Sequence, residues 1–318
     1  MIRRTLLAAT LCAALPLAAH AQAKSTRIVV SFPPGGPVDF VARVLAEQLG
    51  KELGQTVIVD NKAGANGAIG AGEVMRSKAD GSTLWITSVG AAAINASLYE
   101  KLPYDTIRDF TPVSVIVNNV ELLVVSPADP AKDAAEFMAN AKKSKNPVTL
   151  ASSGIGSIPH LAMEQLKDST KVDLLHVPYK GAAPAITDVM GGQVSAFFGD
   201  IPGLITFVRS GKLKPVGIAS TKRHPALTEV KTLAEQGIAN VDTNNWYALF
   251  APAKTPAATV TALNDAVRRA LSQPSVKAKL MDVGAEPAPS TPAELAALLK
   301  RDTDKWGKLI QDKKIKVE

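Results

Sequence analysis

Short apolar runs alternate with helix-period segments along most of the chain, and the loops between them are rich in glycine, proline and serine. Residues 27–32 read as a strand, followed by Pro33-Pro34-Gly35-Gly36-Pro37; Val38, Val41, Ala42, Leu45 and Leu49 then recur at helical spacing. A second strand is expected at 56–59, a helix through 73–77 and a third strand at 83–88. Strand–helix–strand order of this kind predicts a parallel sheet covered by helices. A similar set follows, with strands expected at 121–126, 148–152, 173–177, 194–198 and 214–220.

After one more strand-like run at 246–252 the chain turns helical, at 257–271, 275–280 and 292–310. A helical tail that docks back on the first unit makes the chain cross between units twice, near 115–122 and 243–248. Two crossings form a hinge. The expected fold is therefore α/β and two-lobed, each lobe a mixed sheet flanked by helices. Lobe 1 would comprise residues 24–118 plus 247–318, and lobe 2 residues 119–246.

The N-terminus carries Arg3 and Arg4, an apolar run over 6–17 and then Ala19-His20-Ala21. These are the parts of an export signal cut after Ala21, which places the mature protein in the periplasm. The apolar run is shorter than the ~20 residues that a membrane span needs. Cys12, the sole cysteine, lies inside this leader, so the mature chain has no disulfide or thiol chemistry. Net charge is +7, spread along the chain, and aromatics make up only 5%. A nucleic-acid surface would show a basic stripe with interleaved aromatics, and none is present. A mild positive field suits an anionic solute.

Ligands of open α/β sheets bind beyond the carboxyl ends of strands, where loops enter helices. The first such loop is 32–39: Phe32 precedes paired prolines, Gly36 and Pro37 open a helix, and Asp39 sits in its first turn. Bare amides at a helix start attract anions. Residues 62–70 resemble a phosphate cradle but match neither the dinucleotide nor the P-loop template, so no nucleotide cofactor is expected. Asn66 is the residue there that could reach a cleft. Ser88 ends a strand and could meet a ligand or cap the next helix.

Ser152, Ser153, Gly156 and Ser157 lie where a strand gives way to a helix entered through Pro159, so hydroxyls and free amides converge on one point. Tyr179 and Asp200 follow two further strands. A hydrolase using Ser153 or Ser157 with His160, His176 or Asp200 is the rival, but no serine has the Gly-x-Ser-x-Gly context of a nucleophile elbow. The mature histidines lack close metal-ligand spacing, so neither a metal nor catalysis is expected.

Taken in order, residues 32–39, 60–70, 98–112, 151–161, 176–184 and 246–256 resemble the Bug family. These are the periplasmic solute-binding receptors of tripartite tricarboxylate transporters. Asn61-Lys62-Ala63-Gly64 stands where Asn-Arg-Pro-Gly is usual in the family, and Val38 where threonine is common. The resemblance implies a Venus-flytrap fold, a carboxylate ligand, membrane permease partners and action as a monomer. It also implies that Gly36 and Pro37 meet the ligand partly through water, while Ser153, Gly156 and Ser157 grip a carboxylate directly. A periplasmic sensor feeding a kinase is the alternative role. Both lobes would be needed. Micromolar affinity takes about 8 kcal/mol, whereas a hydrogen bond to a charged group contributes roughly 1.5–3 kcal/mol.

Overall fold

The computed structural model describes residues 25–317, so the expected leader over 1–21 lies outside the described residues. The first part of the chain runs β1 (Ser25–Val30), α1 (Pro37–Leu53), β2 (Thr56–Asn61), α2 (Ala68–Met75) and β3 (Thr83–Ser88). The short helices α3 (Asn95–Leu98) and α4 (Thr106–Asp109) lead to β4 (Phe110–Asn118). A second part comprises β5 (Glu121–Val125), α5 (Ala134–Lys143), β6 (Val148–Ser152), α6 (Ile158–Thr170) and β7 (Leu174–Pro178). It continues with α7 (Ala182–Met190), β8 (Ala196–Asp200), α8 (Ile201–Arg209) and β9 (Lys214–Ile218). The chain closes with β10 (Tyr247–Pro252), α9 (Ala257–Ser272), α10 (Pro274–Asp282), β11 (Glu286–Pro287) and α11 (Pro292–Lys313).

Two mixed sheets result, ordered β11-β4-β10-β3-β1-β2 and β7-β6-β8-β5-β9. This is the expected two-lobed α/β architecture. Strands β1, β2 and β3 are parallel, as their alternation with helices predicts, while β10 lies antiparallel between β3 and β4. Strand β10 returns from the second sheet instead of following a crossover helix, which frees it to enter antiparallel. In the second sheet β6 is parallel to β7 and β8, and β5 is antiparallel to β8 and β9. Both sheets are covered on two faces by separate apolar clusters. Full burial of β3, β5 and β8 accounts for their apolar runs at 84–86, 122–125 and 196–198.

The passages between sheets run side by side. Asn245 N donates to Asn119 O at 2.8 Å, and Val120 bridges Asn244. A further link lies away from these crossings: Ile158 and Leu161 of α6 sit in the cluster of Trp85, Ile94 and Trp306, on the first sheet's side. Lys313 at the end of α11 pairs with Asp168 of α6, and Lys305 donates to Asp242 O at 2.9 Å.

One register difference bears on function. The fourth strand of the second set begins at Ala196, two residues later than the pattern of 194–198 suggests, because the amides of Gln193 and Val194 bond back to Asp188 O. Asp200 thereby becomes the last residue of β8, opposite Glu121, instead of a residue in the loop beyond it.

Candidate functional site

A cavity of about 730 Å³ takes its walls from loops of both sheets, a size that suits a small organic solute. Four helices begin in its wall, at N-cap residues Gly36, Ser157, Gly181 and Asp200, and none of these makes a side-chain cap hydrogen bond. Side-chain caps occur at Asp105, Asp133 and Thr291, which start α4, α5 and α11 away from the cavity, while α9 and α10 start uncapped outside it as well. The first amides of a helix have no intrahelical acceptor, so the starts of α1, α6 and α7 present free donors and the positive ends of helix dipoles, whereas at α8 Ile201 N already donates to Val120 O at 3.2 Å and Pro202 has no N–H. The three free starts converge from both lobes.

Among the sequence-derived candidates, Phe32, Gly36, Pro37, Asn66, Ser88, Ser153, Ser157 and Asp200 line the cavity. Asn66 is held with its amide donating to Asn95 Oδ1 at 2.8 Å, and Asn95 returns a bond to Asn66 O. The neighbouring Gly67 has φ of 90°, and a Cβ there would come within 2.7 Å of Ala91 Cβ, so this loop closes only with glycine. Ser157 occupies the N-cap position of α6 but does not cap it. Its Oγ donates to Gly154 O at 2.7 Å. To bind an anion, Ser157 must exchange that internal acceptor for the ligand.

Asp39, Ser152, Gly156 and Tyr179 lie outside the cavity wall, contrary to expectation, and support it from behind. Buried Asp39 accepts from Gly35 N, Arg43 Nε and Asn61 Nδ2, each at 2.9 Å. Burial opposes its charge, yet the bonds from Arg43, the Gly35 amide and Asn61 hold its carboxyl below the usual carboxylate range. Replacing Asp39 with Ala is expected to lower stability by about 2 kcal/mol, the worth of a charge-assisted bond. Faster hydrogen exchange at the Gly35 amide would show the loop released, whereas wild-type protection there would rule the anchor out.

Ser152 is fully buried, with Oγ 2.6 Å from His176 Nε2. His176 stacks on His160 with ring centroids 3.8 Å apart, and His160 Nδ1 accepts from the Gly156 amide at 3.0 Å. Burial pushes both imidazoles down, to about 3 for His160 and about 4 for His176, so both are neutral at pH 7. Gly156 has φ of 74° and packs on Leu98 of the first sheet's layer. Tyr179 donates its hydroxyl to Asp188 at 2.6 Å.

The floor of the cavity holds residues that sequence patterns do not expose. Glu121 opens β5, Asn245 and Tyr247 flank the return crossing, and all three line the cavity beside Asp200. Tyr247 OH donates to Asp200 Oδ2 across the two sheets. At the rim stands Lys180, the one cation lining the cavity among the described residues. No group of three His, Cys, Asp or Glu side chains among those residues could hold a metal ion, and no helix there is long and apolar enough to cross a membrane.

Residues 41–315 match the family model described as tripartite tricarboxylate transporter family receptor. BugT of Bordetella pertussis is 33% identical over 291 residues, covering 91% of this chain and 89% of BugT. A Rhodopseudomonas palustris protein solved with adipate superposes with a TM-score of 0.87 at 33% identity, over 92% of this chain and 98% of that one. MatC from the same organism, with bound malate, gives 0.81 at 33% identity over 90% and 99%. The order of elements, the cleft between two mixed sheets and these likenesses agree: the chain belongs to the tripartite tricarboxylate transporter receptor family, the periplasmic solute-binding receptors that include the Bug proteins.

Proposed function

We propose that this protein is an extracytoplasmic receptor that captures a small organic carboxylate between its lobes and delivers it to a membrane permease of the tripartite tricarboxylate type. The observation that carries this reading is the convergence of three helix starts with free amides, α1 from one sheet's side and α6 and α7 from the other's, on one cavity. The hydroxyls of Ser153 and Ser157, with the free amides at the start of α6, receive the carboxylate, and the 32–37 loop completes its shell from the other side. Adipate and malate in two relatives fit such a solute class.

In this reading, residues 24–118 plus 247–318 and residues 119–246 swing as two bodies about the paired crossings at Asn119 and Asn245. The receptor acts as a monomer after its leader is cut behind Ala21. It releases its ligand unchanged: the serine–histidine pair it contains, Ser152 with His176, has its hydroxyl fully buried and off the cavity wall.

Screening a carboxylate library by thermal shift tests the proposal. A stabilising acid recovered intact supports it, and turnover of an ester or amide at the same cavity would overturn it. Calorimetry of Ser157→Ala should then show binding weakened about tenfold, or about 1.4 kcal/mol. Unchanged affinity would remove Ser157 from the site.

A further inference from the structure

Glu121 and Asp200 are register partners on the antiparallel strands β5 and β8. Their side chains therefore leave the same face of the sheet, as directly opposed neighbours with Cβ atoms roughly 4.5–5.5 Å apart. Like charges in that position repel, and both groups are buried at the cavity floor. Three bonds are already in place: Asn245 Nδ2 donates to Glu121 Oε1 at 3.2 Å, Tyr247 OH donates to Asp200 Oδ2, and Asn119 Nδ2 donates to Asn245 O at 3.2 Å. These donors of the floor are thus used. Glu121 Oε2 and Asn245 Oδ1 are left without partners, and both residues line the cavity.

Buried acceptors without donors are rare in folded proteins, and each carries a desolvation cost. A second carboxylate brought to this floor would add further acceptors and a further negative charge. A protonated amine brings three N–H donors and one positive charge. We propose that the floor is an ammonium subsite with Glu121 as its specificity-determining residue, so that the solute is an amino-bearing carboxylate and not a plain dicarboxylate. The inference rests on the carboxylate receptor reading above and adds the identity of the ligand's second group.

Burial together with the charge of Asp200 raises the Glu121 carboxyl well above its ordinary range. The positive charge of an ammonium group offsets both causes. Its carboxylate lies toward Ser153 and Ser157, and the ends of the ligand are told apart by opposite chemistry at opposite ends of one cavity.

The test uses matched acids that differ by one amino group: succinate and aspartate, glutarate and glutamate, adipate and α-aminoadipate. Calorimetry on the wild-type protein should give at least one aminated acid bound tenfold or more tightly than its parent. Glu121→Gln keeps the size of the side chain and removes its charge, and should erase that preference. Parent acids that bind as tightly as their aminated partners overturn the subsite alone. So does a preference that survives Glu121→Gln. If no aminated acid of any pair binds, the subsite is overturned, while the carboxylate reading stands or falls by the library screen.

Discussion

Acidification from pH 7 to pH 5 is expected to cost the folded protein about 2 kcal/mol for each imidazole of the His160–His176 stack. Both residues have folded-state values below the roughly 6.5 of an unfolded chain. Above pH ~6.5 both states are neutral, and the pair contributes nothing to the pH dependence. Below it, the unfolded chain takes up protons that the buried rings refuse, so stability falls until about 4 for His176 and about 3 for His160. The buried Glu121 carboxyl works in the opposite sense, since its raised value favours folding as protons become available. Comparison with a variant therefore isolates the histidines. Urea unfolding at pH 7 and pH 5 should show a clearly smaller acid loss for His176→Gln than for wild type. Equal losses would mean that the stack titrates like free histidine. The acid effect reaches the ligand loop as well, because a proton on His160 Nδ1 displaces the bond from the Gly156 amide.

Gly156→Ala should weaken ligand binding by tenfold or more and lower the melting temperature. The residue has φ of 74°, and a Cβ built there would fall 2.2 Å from Leu98 Cδ2 and 2.9 Å from Cδ1. The left-handed conformation alone costs an ordinary L-residue about 1–2 kcal/mol. Displacing buried Leu98 adds to that, because the contact joins the loop proposed to receive the carboxylate, on one sheet, to the helical layer of the other. Leu98→Ala in the same chain removes the collision and leaves the backbone strain, so the double variant should regain part of the lost affinity. Wild-type affinity in Gly156→Ala, or no recovery in the double variant, would break this account.

Periodicity made most of the framework legible. Strand β6 runs over Val148–Ser152 and β3 over Thr83–Ser88, as their apolar runs predict, since full or half burial writes itself directly into residue type. The cavity wall was readable where local chemistry and position coincide: Gly36, Pro37, Ser153 and Ser157 lie at or beside helix starts that border the cleft. It was unreadable where side-chain direction decides. Asp39 and Tyr179 sit within a few residues of cavity-lining positions but turn away to Arg43 and Asp188. Glu121 was hidden for a different reason. A lone acid before Leu122-Leu123-Val124-Val125 looks like an ordinary strand start, and only the pairing of β5 with β8 sets it against Asp200.

The lodging of Ile158 and Leu161 among Trp85, Ile94 and Trp306 ties α6 to the first sheet's layer at a point away from the crossings. Parting the sheets while α6 stays with its own would wet those two side chains, at about 1.5–3 kcal/mol for each one fully exposed. In the proposed two-body motion this latch sets a cost on opening that is separate from any ligand contact.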